Sequence, residues 1–177
     1  MGDTLITIVA IFLAAILMFV FPLMTISERN DDIAQMGAQT ATVEFVDNIR
    51  QTGKITESSY DSYIQTLAAT GNSYDVELEV KVLDENPGKK TAQTSTDKIG
   101  ENIYYSEYTS QILDKINKST TKTMKLKEGD IISVNVKNTN TTIGQMLKNF
   151  FYSISGNDTY KISASHSGVV MANGSEK

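Results

Sequence analysis

The hydrophobic and polar residues of this chain form two unequal blocks. An apolar run without a single charged residue extends from Leu5 to Met24, and the chain after Ser27 is predominantly polar. A helix rises about 1.5 Å per residue, so roughly 20 helical residues cross a bilayer core of about 30 Å. The pattern therefore predicts one membrane-spanning segment followed by a water-soluble body.

Helical periodicity continues beyond the apolar run. Apolar or small residues recur every three or four positions at Ile33, Met36, Thr40 and Val43, and again at Ala34, Ala38, Ala41, Phe45 and Ile49. Together they predict one broad apolar face, with Asp32, Gln35, Gln39, Asp47 and Arg50 outside it. We expect one helix from about Thr4 to Thr52, ended by Gly53 and kinked or loosened at Pro22.

The remaining sequence alternates between short helices and short strands. Thr56 is a predicted N-cap, and Ser59 rather than Glu stands at N3, which predicts an incomplete capping box before a helix with the face Tyr60, Tyr63, Ile64 and Leu67. Alternation predicts strands at Tyr74–Val82 and Ile131–Val136, and a last strand is predicted at Tyr160–Val170. Helical spacing predicts further helices over Glu101–Asn117 and Thr142–Tyr152, with a loop over Asp84–Gly100 and a turn at Gly129-Asp130.

These elements predict an α+β fold. A long N-terminal helix, transmembrane in one half and amphipathic in the other, packs on a small antiparallel-sheet head with additional short helices. The predicted boundaries are residues 1–26 for the transmembrane half, 27–52 for the amphipathic half and 53–177 for the head.

Composition narrows the function classes. The chain has 177 residues, a formal net charge of -5 and no cysteine. The absence of cysteine excludes disulfides, thiol catalysis and cysteine metal sites, and the acidic balance argues against a nucleic-acid partner. The start Met1-Gly2-Asp3 lacks a basic residue and no Ala-x-Ala follows the apolar run, so we expect a retained helix rather than a cleaved signal peptide. The Thr-, Ser- and Asn-rich body favours a single-pass protein of the cell membrane with its body outside the cytoplasm.

Candidate catalytic chemistry is sparse. His166 lies between Ser165 and Ser167, but adjacent strand residues face opposite sides of a sheet, so an exposed strand histidine is the preferred interpretation. Asp75, Glu77 and Glu79 line one strand face and predict a solvated stripe rather than a cation site. Tyr104, Tyr105 and Tyr108 either bind a sugar, peptide or base, or cover the edge of a small core, and the second interpretation is favoured. The sequence predicts no metal, no cofactor and no enzymatic activity.

Four features of the N-terminal half carry a resemblance to a known family. They are the uncharged start Leu5–Phe21, Pro22, the helix Glu28–Arg50, and the helical pair within residues 43–72 before the strand Val76–Val82. This arrangement resembles the type IV pilin-like superfamily, and within it the TadE-type pseudopilins of tight-adherence systems or related Gram-positive pilin-like proteins.

The resemblance implies a structural subunit, a minor pilin or pseudopilin, that polymerises through its N-terminal helix. The implied membrane and assembly residues are Leu5, Ile8, Phe12, Leu13, Ile16, Phe19, Pro22, Ile33, Met36, Ala41, Phe45 and Ile49, and the implied processing site is at Gly2 and Asp3. Thr7 would stand where such filaments carry a glutamate, which suits a minor, tip or initiating role. The implied partners are membrane lipid, other pilin-like subunits and, indirectly, an assembly ATPase and a platform protein.

Two functional classes besides the filament subunit remain open. The chain is either such a filament subunit or a membrane-anchored extracellular module for binding or adhesion, whose helix is a passive anchor. A membrane-bound hydrolase that uses His166 and a serine is the least favoured interpretation.

Overall fold

A computed structural model of the protein describes residues 2–84, 103–146, 148–149 and 161–174. Along the chain its elements are α1 (Gly2–Thr52), β1 (Lys54–Thr56), α2 (Glu57–Ala68), β2 (Tyr74–Asp84), β3 (Ile103–Tyr108), α3 (Thr109–Lys118), β4 (Thr123–Lys125), β5 (Ile131–Asn138) and β6 (Ser163–Val169). The predicted α+β class, a long N-terminal helix on a small antiparallel sheet with additional short helices, is confirmed.

The strands form two antiparallel sheets. The larger has the order β3-β2-β5-β6, and the smaller joins β1 to β4. Alternate residues of β2 and β5 point into the core, where Leu78, Val80, Ile132 and Val134 are almost fully buried. Leu78 lies opposite Val134, and Val80 lies opposite Ile132, in this register. Such cross-strand apolar pairs fix which face of each strand is turned to the core.

The second half of α1 lies between the large sheet and α2. It contacts β6, β5 and α2, and its core-facing side chains join one cluster with those of the sheet and of α3. The buried residues of this cluster are Ala38, Ala41, Phe45, Val46, Ile49, Ile55, Tyr63, Leu67, Leu78, Val80, Ile112, Ile116, Met124, Leu126, Ile132, Val134, Val136, Ala164 and Val170. The first half of α1 contributes nothing to this core.

Gly53 ends α1, as predicted. Its φ is +64°, and its amide donates to the carbonyl of Ile49 at 2.8 Å. A Cβ at this position would lie 2.3 Å from the carbonyl oxygen of Ala172. Only glycine satisfies both the left-handed backbone and this close approach.

Two local predictions are wrong, and two short strands were not predicted. Residues 103–108, predicted within a helix over 101–117, form β3, because the edge of the long strand β2 provides an antiparallel partner from Glu79 to Asp84. The helix there begins only at Thr109. The capping box of α2 is complete, since the hydroxyl of Ser59 accepts from the amide of Thr56 at 3.1 Å and the hydroxyl of Thr56 accepts in return at 3.0 Å. Strands β1 and β4, of three residues each, have no detectable sequence period.

Other predicted elements agree with the structure over the described residues. The strands at 74, 131 and 160 correspond to β2, β5 and β6, with β2 and β5 each extending two residues further. Residues 143–146 and 148–149 are helical, as predicted for 142–152. Some predicted features lie outside the described residues. They are most of the loop Asp84–Gly100, the end of the helix at 152 and the strand start at Tyr160.

Candidate membrane and assembly surface

The first half of α1 is an apolar helix with no protein around it. The mean hydropathy of its most apolar stretch is 2.9, and none of that stretch is buried. The predicted residues Leu5, Ile8, Phe12, Leu13, Ile16 and Phe19 are between 45% and 71% exposed. By length and composition this helix is compatible with a membrane span or with a signal sequence.

The second half of α1 has two apolar lines, which diverge in the fold. Ala34, Ala38, Ala41, Phe45 and Ile49 are buried against the head, whereas Ile33 and Met36 are 65% and 69% exposed. The single broad face expected from the periodicity is therefore divided. Ile26, also exposed, lies two helical turns before Ile33, so the outer line continues directly from the apolar half.

An aromatic contact joins α1 to α2. The rings of Phe45 and Tyr63 stack with centroids 4.4 Å apart and an interplanar angle of 2°. The hydroxyl groups of Tyr63 and Thr42 lie 2.9 Å apart, and Thr42 donates to the carbonyl of Ala38 at 2.6 Å. Burial is the main reason that the pKa of Tyr63 is raised to about 12, and the hydrogen bond with Thr42 acts in the opposite direction.

Polar residues of α1 bind the edge strand β6. The side-chain amide of Gln35 donates to the carbonyl of Ser163 at 2.5 Å and accepts from its amide at 3.0 Å. Arg50 donates to the carbonyl of Val169 at 3.1 Å and pairs with Asp47 at 2.7 Å. Gln35 and Arg50, which the periodicity placed simply outside the apolar face, thus satisfy backbone groups of an edge strand, and Asp47 pairs with Arg50.

The structure places His166 under α1 rather than in the open. Its Nε2 is 3.6 Å from the carboxylate of Asp47, and its side chain is only 31% exposed, so the prediction of an exposed strand histidine is wrong. Ser165 and Ser167 are exposed on the other side of β6, as the alternation predicted. An acid therefore lies beside the histidine, but neither neighbouring serine shares its face.

A short capped turn, residues 142–146, joins the head to the base of α1. The hydroxyl of Thr142 accepts from the amide of Gln145 at 3.1 Å, and the side chain of Gln145 accepts from the amide of Thr142 at 3.3 Å. This is a reciprocal capping box. Asn138 holds it to the end of β5 by donating to Gln145 at 3.1 Å. The spacing Thr142-x-x-Gln145 is the sequence signal that could have revealed it.

The capped turn docks on α1 just after the apolar half. Thr142 donates to the carboxylate of Asp31 at 3.0 Å, and Asp31 is 3% exposed. A Cβ on Gly144 would lie 2.8 Å from Asp31 Oδ2 and 3.0 Å from Ser27 Cβ, so the backbone of the turn touches the helix. Lys148 lies 3.8 Å from Glu28. The sequence gave no sign that Asp31 is buried.

A groove of about 580 Å³ runs beside this contact. It separates α1 from the end of α2 and from the capped turn, and Ile33 and Ile143 both line it. Ile143 is 61% exposed. The groove therefore joins the outer apolar line of α1 to the apolar side of the capped turn.

The open face of the sheet is polar and carries aromatic side chains. Glu77 accepts from the side-chain amide of Asn135 at 3.2 Å, and Glu79 accepts from the hydroxyl of Ser106 at 2.7 Å, which agrees with the predicted solvated stripe. Tyr108 borders a groove of about 570 Å³ on this face. Tyr104, Tyr105 and Tyr108 lie on β3 and are partly exposed. Tyr105 lies opposite Val82, which packs against the core, so it agrees with the predicted cover of a core edge, and for Tyr104 and Tyr108 both interpretations stay open.

The other predicted positions lie on α1. Gly2 and Asp3 form its exposed first turn, where a Cβ on Gly2 would meet nothing within 4 Å. Pro22 lies within the helix and is exposed. In the described ranges no group of three or more His, Cys, Asp or Glu residues is placed to hold a metal ion.

Comparisons with known proteins returned nothing. No protein-family model matches the chain, and no curated protein and no solved structure matches it. The geometry described above is therefore the basis for any functional assignment.

Proposed function

We propose that the chain is a pilin-like structural subunit, minor or pseudopilin, of a type IV-like or Tad-like surface filament or secretion apparatus. The observation that carries the proposal is the exposed apolar line of α1, which continues past the length of a bilayer through Ile26, Ile33 and Met36. A passive anchor needs apolar surface only where it meets lipid. An assembly helix needs it also where it meets neighbouring copies.

The proposed assembly exchanges one apolar environment for another. The apolar half of α1 first holds the subunit in the cytoplasmic membrane, with the head on the extracytoplasmic side. A separate assembly ATPase and platform protein then extract it, and the helix packs in a bundle of like helices. Because apolar side chains leave lipid for other apolar side chains, the net free-energy cost of the transfer is small.

A crosslinking experiment tests the proposal, because the chain has no cysteine and each introduced thiol is unique. Met36→Cys places a thiol on the exposed line, and Met171→Cys serves as the matched control, since these methionines are 69% and 57% exposed. The full chain is expressed with its genomic neighbours, surface material is sheared off, and a crosslinker is applied. Because each subunit carries one thiol, a thiol–thiol crosslinker joins at most two subunits, and we expect crosslinked dimers from Met36→Cys and few from Met171→Cys.

Two results would reject the filament assignment. One is recovery of the chain only in the membrane fraction, with nothing in sheared surface material. The other is equal crosslinking from the two variants, which indicates random collision instead of packing through α1.

The membrane-anchored adhesion module is the second candidate. The exposed Tyr108 beside the polar groove of the sheet, with Glu77 and Asn135 in its lining, favours it, since aromatic and amide side chains together suit a sugar or peptide. A glycan or peptide array probed with the full chain in detergent, with Tyr108→Ala as control, tests this candidate. Binding that is lost in Tyr108→Ala would support it.

A further inference from the structure

The capped turn, residues 142–146, has one side that faces the protein and one side that is exposed. Thr142, Gly144 and Gln145 face the protein, whereas Ile143 and Met146 are 61% and 54% exposed. Two large apolar side chains thus extend from a segment of five residues that the head holds firmly in place.

The place where the capped turn contacts α1 fixes its height relative to a bilayer that the apolar half would span. The turn touches Ser27 and Asp31, which follow Met24, the end of the apolar run, by three and seven residues. At about 1.5 Å per residue these contacts lie roughly 5 to 10 Å beyond the end of the span. The bilayer is about 40–45 Å thick with its headgroups against about 30 Å of hydrocarbon, so the headgroup layer occupies roughly this height.

The charges around the turn are arranged to permit contact with lipid. The carboxylate of Asp31 is buried and hydrogen-bonded to Thr142, and Glu28 lies 3.8 Å from Lys148. Two acids at the base of α1 are therefore engaged by this segment of the head. The desolvation and repulsion that free carboxylates would impose near a lipid surface are reduced accordingly.

We propose that residues 142–146 form an interfacial foot, which inserts Ile143 and Met146 among the lipid headgroups and sets the height and tilt of the head above the bilayer. The inference rests on insertion of the apolar half of α1, which is part of the proposed function, and it does not depend on filament assembly. Apolar side chains of interfacial segments typically lie about 5–10 Å deep at the boundary of headgroups and acyl chains.

Depth-dependent fluorescence quenching tests the foot in the full chain. Single cysteines at Met146, Met171 and Leu13 carry an environment-sensitive fluorophore, and each protein is reconstituted in phosphatidylcholine vesicles with a nitroxide on the headgroup or near the middle of the acyl chain. Met171 is a matched control, because its amide binds the carbonyl of Arg50 at 2.8 Å. That level of α1 lies about 34 Å beyond Ser27 at 1.5 Å per residue.

The expected result is strong quenching at Met146→Cys by the headgroup nitroxide and strong quenching at Leu13→Cys by the acyl-chain nitroxide. At Met146→Cys the loss of fluorescence should be at least about threefold the loss at Met171→Cys, as befits an interfacial segment. In the Met146→Cys background, Ile143→Ser should reduce quenching to the level seen at Met171→Cys. That result would show that Ile143 holds the foot in place.

The outcomes separate this inference from the proposed function. Quenching at Leu13→Cys with none at Met146→Cys overturns the foot and leaves membrane insertion intact. A blue shift at Met146→Cys that appears only at high protein density, without lipid quenching, identifies a second copy as the occupant and also overturns it. No quenching at Leu13→Cys rejects insertion itself, and the foot with it.

Discussion

Tyr63 and Gly53 illustrate how single residues attach α1 to the head. Tyr63 is 4% exposed, stacks on Phe45 and shares a hydrogen bond with Thr42. Gly53 admits the carbonyl of Ala172 where any side chain would collide with it. One residue contributes by what its side chain contacts, and the other by having no side chain.

Stability should fall at alkaline pH because of Tyr63. Its pKa is raised from 10.0 to about 12, so the unfolded chain loses this proton at a lower pH than the folded chain does. The contribution of the neutral hydroxyl is fully present below pH 10.0 and is lost as the pH rises toward about 12. Tyr63→Phe should reduce this alkaline loss, while costing about 1 kcal/mol at neutral pH for the hydrogen bond. Urea unfolding of the full chain in detergent at a series of pH values measures both, and identical alkaline slopes in the two proteins would contradict the assignment.

Gly53→Ala should destabilise the head more than Gly71→Ala. Both glycines have positive φ, +64° and +81°, and a left-handed alanine costs about 1–2 kcal/mol. Only at Gly53 would the new methyl group collide with backbone, whereas nothing lies within 4 Å of a Cβ at Gly71. Chemical denaturation gives the two free energies of unfolding. Equal losses would mean that the contact with Ala172 carries no constraint.

At the scale of elements, α1 has two faces with different tasks. Ile49 is 1% exposed and belongs to the core, whereas Ile33, on the same helix, is 65% exposed. The buried face fixes the head to the helix. The exposed face lies outside the core, and in the proposed function it packs against a neighbouring subunit.

Alanine substitutions should separate these two tasks. Ile49→Ala should cost about 2–5 kcal/mol of stability by leaving a cavity in the core. Ile33→Ala should change stability by less than about 0.5 kcal/mol, as exposed positions usually do, and should reduce the yield of sheared filaments. Thermal unfolding and filament yield are measured on the same variants. A normal filament yield from Ile33→Ala combined with Met36→Ala would argue against packing through this line.

The docking of the capped turn should depend on Gly144. In Gly144→Ala the methyl group would lie 2.8 Å from Asp31 Oδ2, and such overpacking costs about 1–3 kcal/mol. We expect faster amide hydrogen exchange in residues 142–146 and around Asp31, with the exchange of β5 unchanged. Thr142→Val, which removes the cap and the bond to Asp31, should reproduce this local effect. Unchanged exchange in both variants would show that the contact is not needed to hold the turn.

For the whole molecule, the question is whether the apolar half of α1 acts only as an anchor. The head buries one side of the helix and leaves the apolar half entirely uncovered. A filament subunit and an anchored adhesion module share this architecture. They differ in whether function depends on the order of the side chains along the apolar half of α1.

Replacing Leu5–Met24 by an unrelated spanning helix of equal length should distinguish the two functions. A passive anchor tolerates the exchange, because any sufficiently apolar helix spans the bilayer. A filament subunit should lose assembly while keeping its membrane insertion and its folded head, since helix packing depends on the shapes of particular side chains. The measurements are protease accessibility of the head in intact cells and recovery in sheared filaments. Undiminished filament recovery after the exchange would favour a role for the span as an anchor alone.

Much of the fold could be predicted from local periodicity. The alternation of Tyr74–Val82 predicted β2, and the three- and four-residue spacing up to Ile49 predicted the length of α1. Residues 103–108 could not be assigned in this way. A short apolar and aromatic segment suits a helix or a strand, and its pairing with β2 made it a strand.

The candidate surface was only partly predictable for a similar reason. The periodicity assigned one apolar face to Ile33, Met36, Ala41, Phe45 and Ile49. It contains no information on which of these residues the head covers. Asp31 and Thr142 are 111 positions apart in the chain, so no local pattern links them. The complete capping box of α2 was missed because a serine at N3 is a rarer partner than glutamate.

The sequence by itself determined an uncharged helix of membrane-spanning length, its continuation as an amphipathic helix and the α+β class of the head. These follow from the regular geometry of helices and strands, which a linear pattern records. Only the tertiary structure decided that the apolar face of α1 is divided, that Asp31 is buried and that the capped turn lies beside the end of the apolar half. Those features depend on contacts between distant segments, and the packing of the whole chain fixes them.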